Sequence, residues 1–86
     1  MNINQLIDIV KIKLKKNIDC DKIEIEDKTF LHVNHKSNVK NKFHIKIIIS
    51  SEYLKQKSKI ESTKEIYKIL DEELKKYIHS IQILIN

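Results

Sequence analysis

The sequence predicts a single α+β domain of order α-β-β-α-α-β, with a three-stranded sheet covered by helices on one face. Apolar residues recur at three- and four-residue steps in two stretches and alternate with polar residues in three others. No linker, repeat or break in composition separates these stretches, so residues 1–86 are read as one domain. A chain of 86 residues buries only about 60% of its unfolded surface and holds one modest core. Two amphipathic helices on one face of a sheet is the economical way to share it.

The first helix is expected over about residues 3–16, where Ile3, Leu6, Ile7, Val10 and Leu14 form an apolar stripe that Ile9 and Ile12 widen. Lys11, Lys15 and Lys16 occupy its polar face, and cations near a helix C-terminus suit its dipole. The helix is expected to stop near Asn17, an acceptable terminating residue in a chain without glycine. The run Lys22-Ile23-Glu24-Ile25-Glu26-Asp27 alternates apolar with charged and reads as a short strand with one wet face. Thr29 to Lys42 has no usable period and is rich in Asn, Lys, His and Ser, so most of it reads as a mobile loop. Phe43, Ile45, Ile47 and Ile49 alternate with His44, Lys46, Ile48 and Ser50, which predicts a second strand antiparallel to the first. That alternation places His44 on the wet face, solvated.

A short helical turn is expected within residues 51–56. Ser58-Lys59-Ile60-Glu61 then matches a capping box, and Ile60, Ile66, Tyr67, Leu70, Leu74 and Tyr77 mark a helix over 59–77. Ile81, Ile83 and Ile85 alternate with Ser80, Gln82 and Leu84 in a closing strand over 79–85. The expected core contains Ile7, Val10, Ile25, Ile45, Ile47, Leu70 and Ile81.

Composition excludes several functions. The chain has no glycine, which removes the phosphate loops of P-loop and dinucleotide sites and the Gly-x-Ser-x-Gly nucleophile turn. One cysteine excludes an intramolecular disulfide framework and a multi-cysteine zinc site. No apolar run approaches the ~20 residues that span a bilayer, and Met1–Val10 lacks the basic-then-apolar order of a secretory signal. An intracellular setting follows as the expectation, cytoplasm or cytosol first, with the mitochondrion the eukaryotic alternative. The net charge is +5, but 18 Ile against 17 Lys with no Arg or Ala resembles A/T-rich coding, which lowers the weight of the lysine count. Catalysis has little support. Ser62 and Thr63 have no evident base, Glu72 and Glu73 point in different directions on a helix, and Cys20 follows a helix end that raises a thiol pKa. Cys20 is read as a packing residue.

Four histidines remain: His32, His35, His44 and His79. Taken singly, each has an ordinary reading: loop residues for His32 and His35, a helix-end cation for His79. His32-x-x-His35 is a weak zinc signal, two ligands short.

The segments together resemble the BolA-like family. Asp27-Lys28-Thr29-Phe30-Leu31-His32-Val33-Asn34-His35 is similar to that family's Asp-x-Ser-x-x-His-x-Gly-His stretch. Phe43 to Ser50 resembles its His-Phe-Lys-Val-Val-Val-Val-Ser strand, and Glu52-Tyr53-Leu54 the short aromatic turn that follows. Asp71-Glu72-Glu73-Leu74 and Ile78-His79-Ser80-Ile81 are similar to its Glu-Glu-Leu and Ile/Val-His-Ala-Leu ending. The chain departs from the pattern in three places. Arg-His-Arg at the start of the long helix reads Ser62-Thr63-Lys64, the loop glycine is Asn34, and the glycine after the short turn is replaced within Lys55-Gln56-Lys57.

The resemblance implies a KH-like fold of the second type and a non-enzymatic adaptor that is monomeric when isolated. It implies a monothiol glutaredoxin of the Cys-Gly-Phe-Ser type as partner, with a [2Fe–2S] cluster shared between that partner, glutathione and this chain, in iron–sulfur assembly or trafficking and iron or redox regulation. The ligands it implies here are His79 and His32, with His35 as the substitute loop ligand, and the isolated chain is expected to bind no cluster. The competing reading is a KH-like nucleic-acid-binding regulator. Lys28 to Ser51 carries five Lys and no acid, and Lys36, Lys40, Lys42 and Lys64 are the candidate contacts. Against that reading, the chain has no Gly-x-x-Gly clamp.

Overall fold

The computed structural model describes residues 1–29 and 42–86. The element order is α1 (Ile3–Asn17), β1 (Lys22–Asp27), β2 (Phe43–Ser50), α2 (Glu52–Lys55), α3 (Lys59–Ile69), α4 (Asp71–Lys76) and β3 (Ile78–Ile85). The expected α+β architecture is what folds. The strands order β1-β2-β3, with β2 antiparallel to β1 and parallel to β3.

α1 begins in a capping box that the sequence reading overlooked: Asn2 accepts from the Gln5 backbone N–H, and Gln5 accepts from the Asn2 N–H. Leu6, Val10 and Leu14 are fully buried at four-residue spacing, whereas Ile7 is half-buried and Ile12 is 64% exposed. Val10 is thus in the core as expected, Leu6 takes the place expected of Ile7, and the stripe is narrower than expected. The helix ends at Asn17, whose side-chain amide donates to the Lys13 carbonyl oxygen, and Ile18 turns out in extended backbone to bury its side chain.

In the sheet, Ile23, Ile45, Ile47 and Ile49 are buried on the face that meets the helices, joined by the partly buried Ile25, Ile81, Ile83 and Ile85. Cross-strand partners repeat this order, Ile25 and Ile83 flanking Ile47, and Ile23 and Ile85 flanking Ile49. Leu54, Ile66, Leu70 and Ile78 complete the cluster with the buried residues of α1. Ser51 caps α2 and donates its hydroxyl to the Asp19 carbonyl oxygen, and buried Ser62 donates to the Leu54 carbonyl oxygen.

The helix expected over 59–77 is two helices. Leu70 takes φ −98° and ψ 18°, ending α3 and leading into α4. The buried residues Ser62, Ile66, Leu70 and Glu73 keep four- and three-residue steps straight across this bend, so apolar spacing could not reveal it. Ile60 and Tyr67, taken as stripe positions, are 69% and 42% exposed. Ser58 caps α3 as expected, but the Glu61 carboxylate accepts the Ser58 hydroxyl instead of closing a full box.

One polar clamp crosses the helical layer. Glu73 is buried, its Oε2 is 2.7 Å from Lys13 Nζ on α1, and its Oε1 has no hydrogen-bond partner among the described residues. The Glu73 hydrogen bond holds the Lys13 ammonium above its ordinary pKa of 10.5. A raised ammonium pKa stabilises the fold fully below 10.5, and that contribution is lost as pH rises through the raised value. Lys13→Ala is expected to destabilise the fold by about 2 kcal/mol, because it strips a buried carboxylate of its partner. Urea unfolding at neutral pH measures it, and the difference from the parent should shrink in strong alkali. Ile47→Ala, at the centre of the core, is expected to cost about 3–4 kcal/mol in the same assay, with Ile47→Val about 1.

Candidate functional site

The first residues of the parallel strands β2 and β3 lie at the same end of the sheet, and that end gathers the described histidines. Phe43 N–H donates to the Tyr77 carbonyl oxygen, and Phe43 faces Ile78. The next residue of β2, His44, faces Ser80, so His79 is one extra residue on β3 with no partner opposite it. Such a bulge re-aims the side chain it carries. His79 is exposed, and it follows the C-terminus of α4 as the sequence reading placed it.

His44 corrects that reading. The alternation does put it on the sheet face away from the helices, yet it is 3% exposed rather than solvated. Its Nδ1 is 2.6 Å from the Ser80 hydroxyl oxygen, and its ring centroid is 5.0 Å from that of His79 with the planes tilted by 56°. Its backbone N–H donates to Thr29 Oγ1 at 3.2 Å, and its carbonyl oxygen accepts from Lys28 N–H at 2.7 Å. Thr29 in turn donates its N–H to the Asp27 carboxylate. Periodicity assigns a face, but it does not say whether that face is covered, which is why neither the burial of His44 nor its pairing with Ser80 was visible. The parallel register, which sets His44 opposite Ser80, carries the pairing.

His32 and His35 lie outside the described residues, as do Lys36 and Lys40. The described ends of that segment are both at this corner: Thr29 touches His44, and Lys42, next to Phe43, donates its ammonium to the Lys75 carbonyl oxygen at 3.3 Å. Lys64 is elsewhere, exposed on α3 beside an apolar depression lined by Ile60 and Tyr67. The structure therefore joins Lys42 to the histidine corner and leaves Lys64 apart from it. Among the described residues, no group of three or more His, Cys, Asp or Glu could hold a metal ion.

The remaining candidates behave as packing or surface groups. Cys20 is half-buried against the core between α1 and β1, and burial, helped by Asp19, pushes its thiol pKa up from 9.0. Glu72 and Glu73 do point apart, Glu73 inward to Lys13 and Glu72 outward, where Lys76 holds its carboxyl below 4.5. Among the described residues, no helix is long and apolar enough to cross a membrane. Alkylation of Cys20 by iodoacetamide at pH 8 is expected to be several-fold slower than that of a free cysteine and to accelerate as pH passes 9.

Comparison with known proteins agrees with this layout. The model of the family described as BolA-like protein matches residues 14–86. The BolA domain of SufE1 from Arabidopsis thaliana superposes with a TM-score of 0.78 at 26% identity, over 100% of this chain and 93% of that one. BolA1 from the same plant gives 0.78 at 23% identity, over 93% of this chain and 88% of that one. The solution structure of BolA1 from Mus musculus gives 0.74 at 16% identity, over 92% and 62%. Among curated proteins, none matches the chain.

Proposed function

The chain belongs to the BolA-like protein family, and from that premise we propose that it is a non-enzymatic adaptor for a monothiol glutaredoxin, sharing a [2Fe–2S] cluster with that partner and its glutathione. The observation that carries the reading is His79: an exposed imidazole on a bulge, at the corner where both described ends of the β1–β2 segment arrive. An imidazole in that position offers iron a nitrogen from a rigid strand end while leaving the outward side to a partner. The second nitrogen is assigned to His32, with His35 as its substitute. His32 is three residues beyond Thr29, a reach of about 10 Å at full extension.

The donor set fits the group. The exposed imidazole of His79 is a nitrogen donor of the kind such a cluster accepts, and the resemblance leaves the thiolate ligands to the partner and its glutathione. When bound, such a cluster carries one electron at a potential that nitrogen ligation raises relative to all-thiolate ligation. This chain's own part is to hold His79 outward. Because a protonated imidazole cannot ligate, assembly is expected to weaken as pH falls. The role fits iron–sulfur assembly or trafficking inside the cell, with iron or redox regulation as its outcome.

Nucleic-acid binding is the weaker reading, since Lys42 and Lys64 stand on separate parts of the described surface and the chain has no glycine for a backbone clamp. Any such binding is expected to be weak and to fall steeply with salt, as fluorescence anisotropy of a labelled oligonucleotide between 50 and 200 mM salt measures.

Reconstitution of the chain with a monothiol glutaredoxin, glutathione, iron and sulfide tests the main reading by visible absorption and circular dichroism. His79→Ala is expected to abolish the mixed-cluster spectrum with far-ultraviolet circular dichroism unchanged, and His32→Ala to weaken it. An unchanged visible spectrum in His79→Ala would remove His79 from the ligand set.

A further inference from the structure

Two residues beside His79 have no part in the ligand set proposed above. His44 is buried on the sheet face away from the helices, and its Nδ1 stands 2.6 Å from the hydroxyl of Ser80. The contact engages one ring nitrogen of His44 and restrains the plane of the ring, and because a hydroxyl both donates and accepts it serves either tautomer. The fixed ring lies 5.0 Å from the ring of His79 and tilted by 56°, a wall on one side of an imidazole that is otherwise exposed. The BolA-like ending quoted above has Ala where Ser80 stands, so the hydroxyl that meets His44 is a feature of this chain.

We infer that His44, held by the Ser80 hydroxyl, is a positioning residue for His79, fixing the direction in which the exposed imidazole is presented to a metal. The inference rests on the reading of His79 as a ligand. His44 does not ligate in this arrangement, because its ring is buried and its Nδ1 is engaged. The bulge explains why a wall is needed. His79 has no residue opposite it in the register, so cross-strand neighbours do not set its side-chain angles as they do for paired strand residues. The ring of His44 supplies that limit, so less rotational freedom is left to lose on ligation.

The test compares the parent chain, Ser80→Ala, and Ser80→Ala combined with His44→Phe, which keeps a ring that needs no hydroxyl. In the unliganded chain, nuclear Overhauser effects read the approach of the His44 and His79 rings. The parent is expected to show clear contacts between the two rings. Ser80→Ala is expected to at least halve those ring contacts, with amide shifts across residues 45–49 unmoved. In the reconstituted complex with glutaredoxin and glutathione, Ser80→Ala is expected to lose its cluster to an iron chelator about tenfold faster. The combined variant is expected to return to within about twofold of the parent. Unchanged ring contacts in Ser80→Ala would overturn the inference, as would a combined variant no better than the single one. If no chain, parent included, takes up a cluster, the ligand reading fails, and the ring contacts still decide the positioning role.

Discussion

A hairpin cannot join parallel strands, and the pairing of β2 with β3 therefore commits residues 51–77 to a crossover. The crossover carries Leu54, Ile66 and Leu70 onto the face that already presents Ile45, Ile47 and Ile49, and α1 closes the layer with Leu6, Val10 and Leu14. The same pairing has a second consequence at the strand ends. Parallel strands start at one end of a sheet, so His44 and His79, far apart in sequence, come within ring contact. Core and histidine corner thus follow from one topological commitment. The antiparallel pairing of β1 serves the corner too, because it brings Lys28 and Thr29 back to the start of β2.

A chain without glycine or proline must turn its corners by other means. Each described helix cap has negative φ, so none of these caps is a left-handed residue. Polar side chains do the terminating instead. Asn2, Ser51 and Ser58 accept backbone N–H groups at helix starts, and the Asn17 amide covers a carbonyl at the end of α1. Ser51 and Ser62 add ties between segments, Ser51 to the approach of β1 and Ser62 from α3 to α2. Lysine has a matching role. With no arginine available for bidentate pairing, the buried carboxylate of Glu73 is met by a single ammonium through one oxygen, and its other oxygen is left over.

Much of this was legible because strands with one wet face alternate strictly. Lys22–Asp27 and Phe43–Ser50 were read with their observed boundaries, and Ile78 was missed only because its partner, Phe43, precedes the bulge. The helices were harder, and the isoleucine bias explains why. With isoleucine so common, it falls on wet positions as well as dry ones, and Ile12 and Ile60 widened the apparent stripes while lying exposed. The bend at Leu70 was invisible because burial keeps helical spacing through it. At the site, the exposure of His79 follows from the bulge, which alternation does not show, and only the packing role of Cys20 was readable from its place at an element end. The burial of His44 was not, since it depends on contacts across strands and not on the local pattern. His32 and His35 lie outside the described residues.

The bulge also separates what stabilises the domain from what it presents. His79 pairs with no residue of β2, while its neighbours do the structural work: Ile78 is buried in the core, and Ser80 resumes the register. An extra residue in a strand is free of the alternation that would otherwise turn it toward the helices or flat onto the open face. A change of side chain there disturbs neither the ladder nor the core, so the position can be spent on recognition at small cost to folding. His44 is the opposite case. It shares its strand with Ile45, Ile47 and Ile49, its backbone is bound on both sides by Lys28 and Thr29, and its ring is buried. Rigid backbone beneath a buried ring, next to an exposed ring on an unpaired residue, gives this corner of the sheet both a fixed reference and an accessible nitrogen.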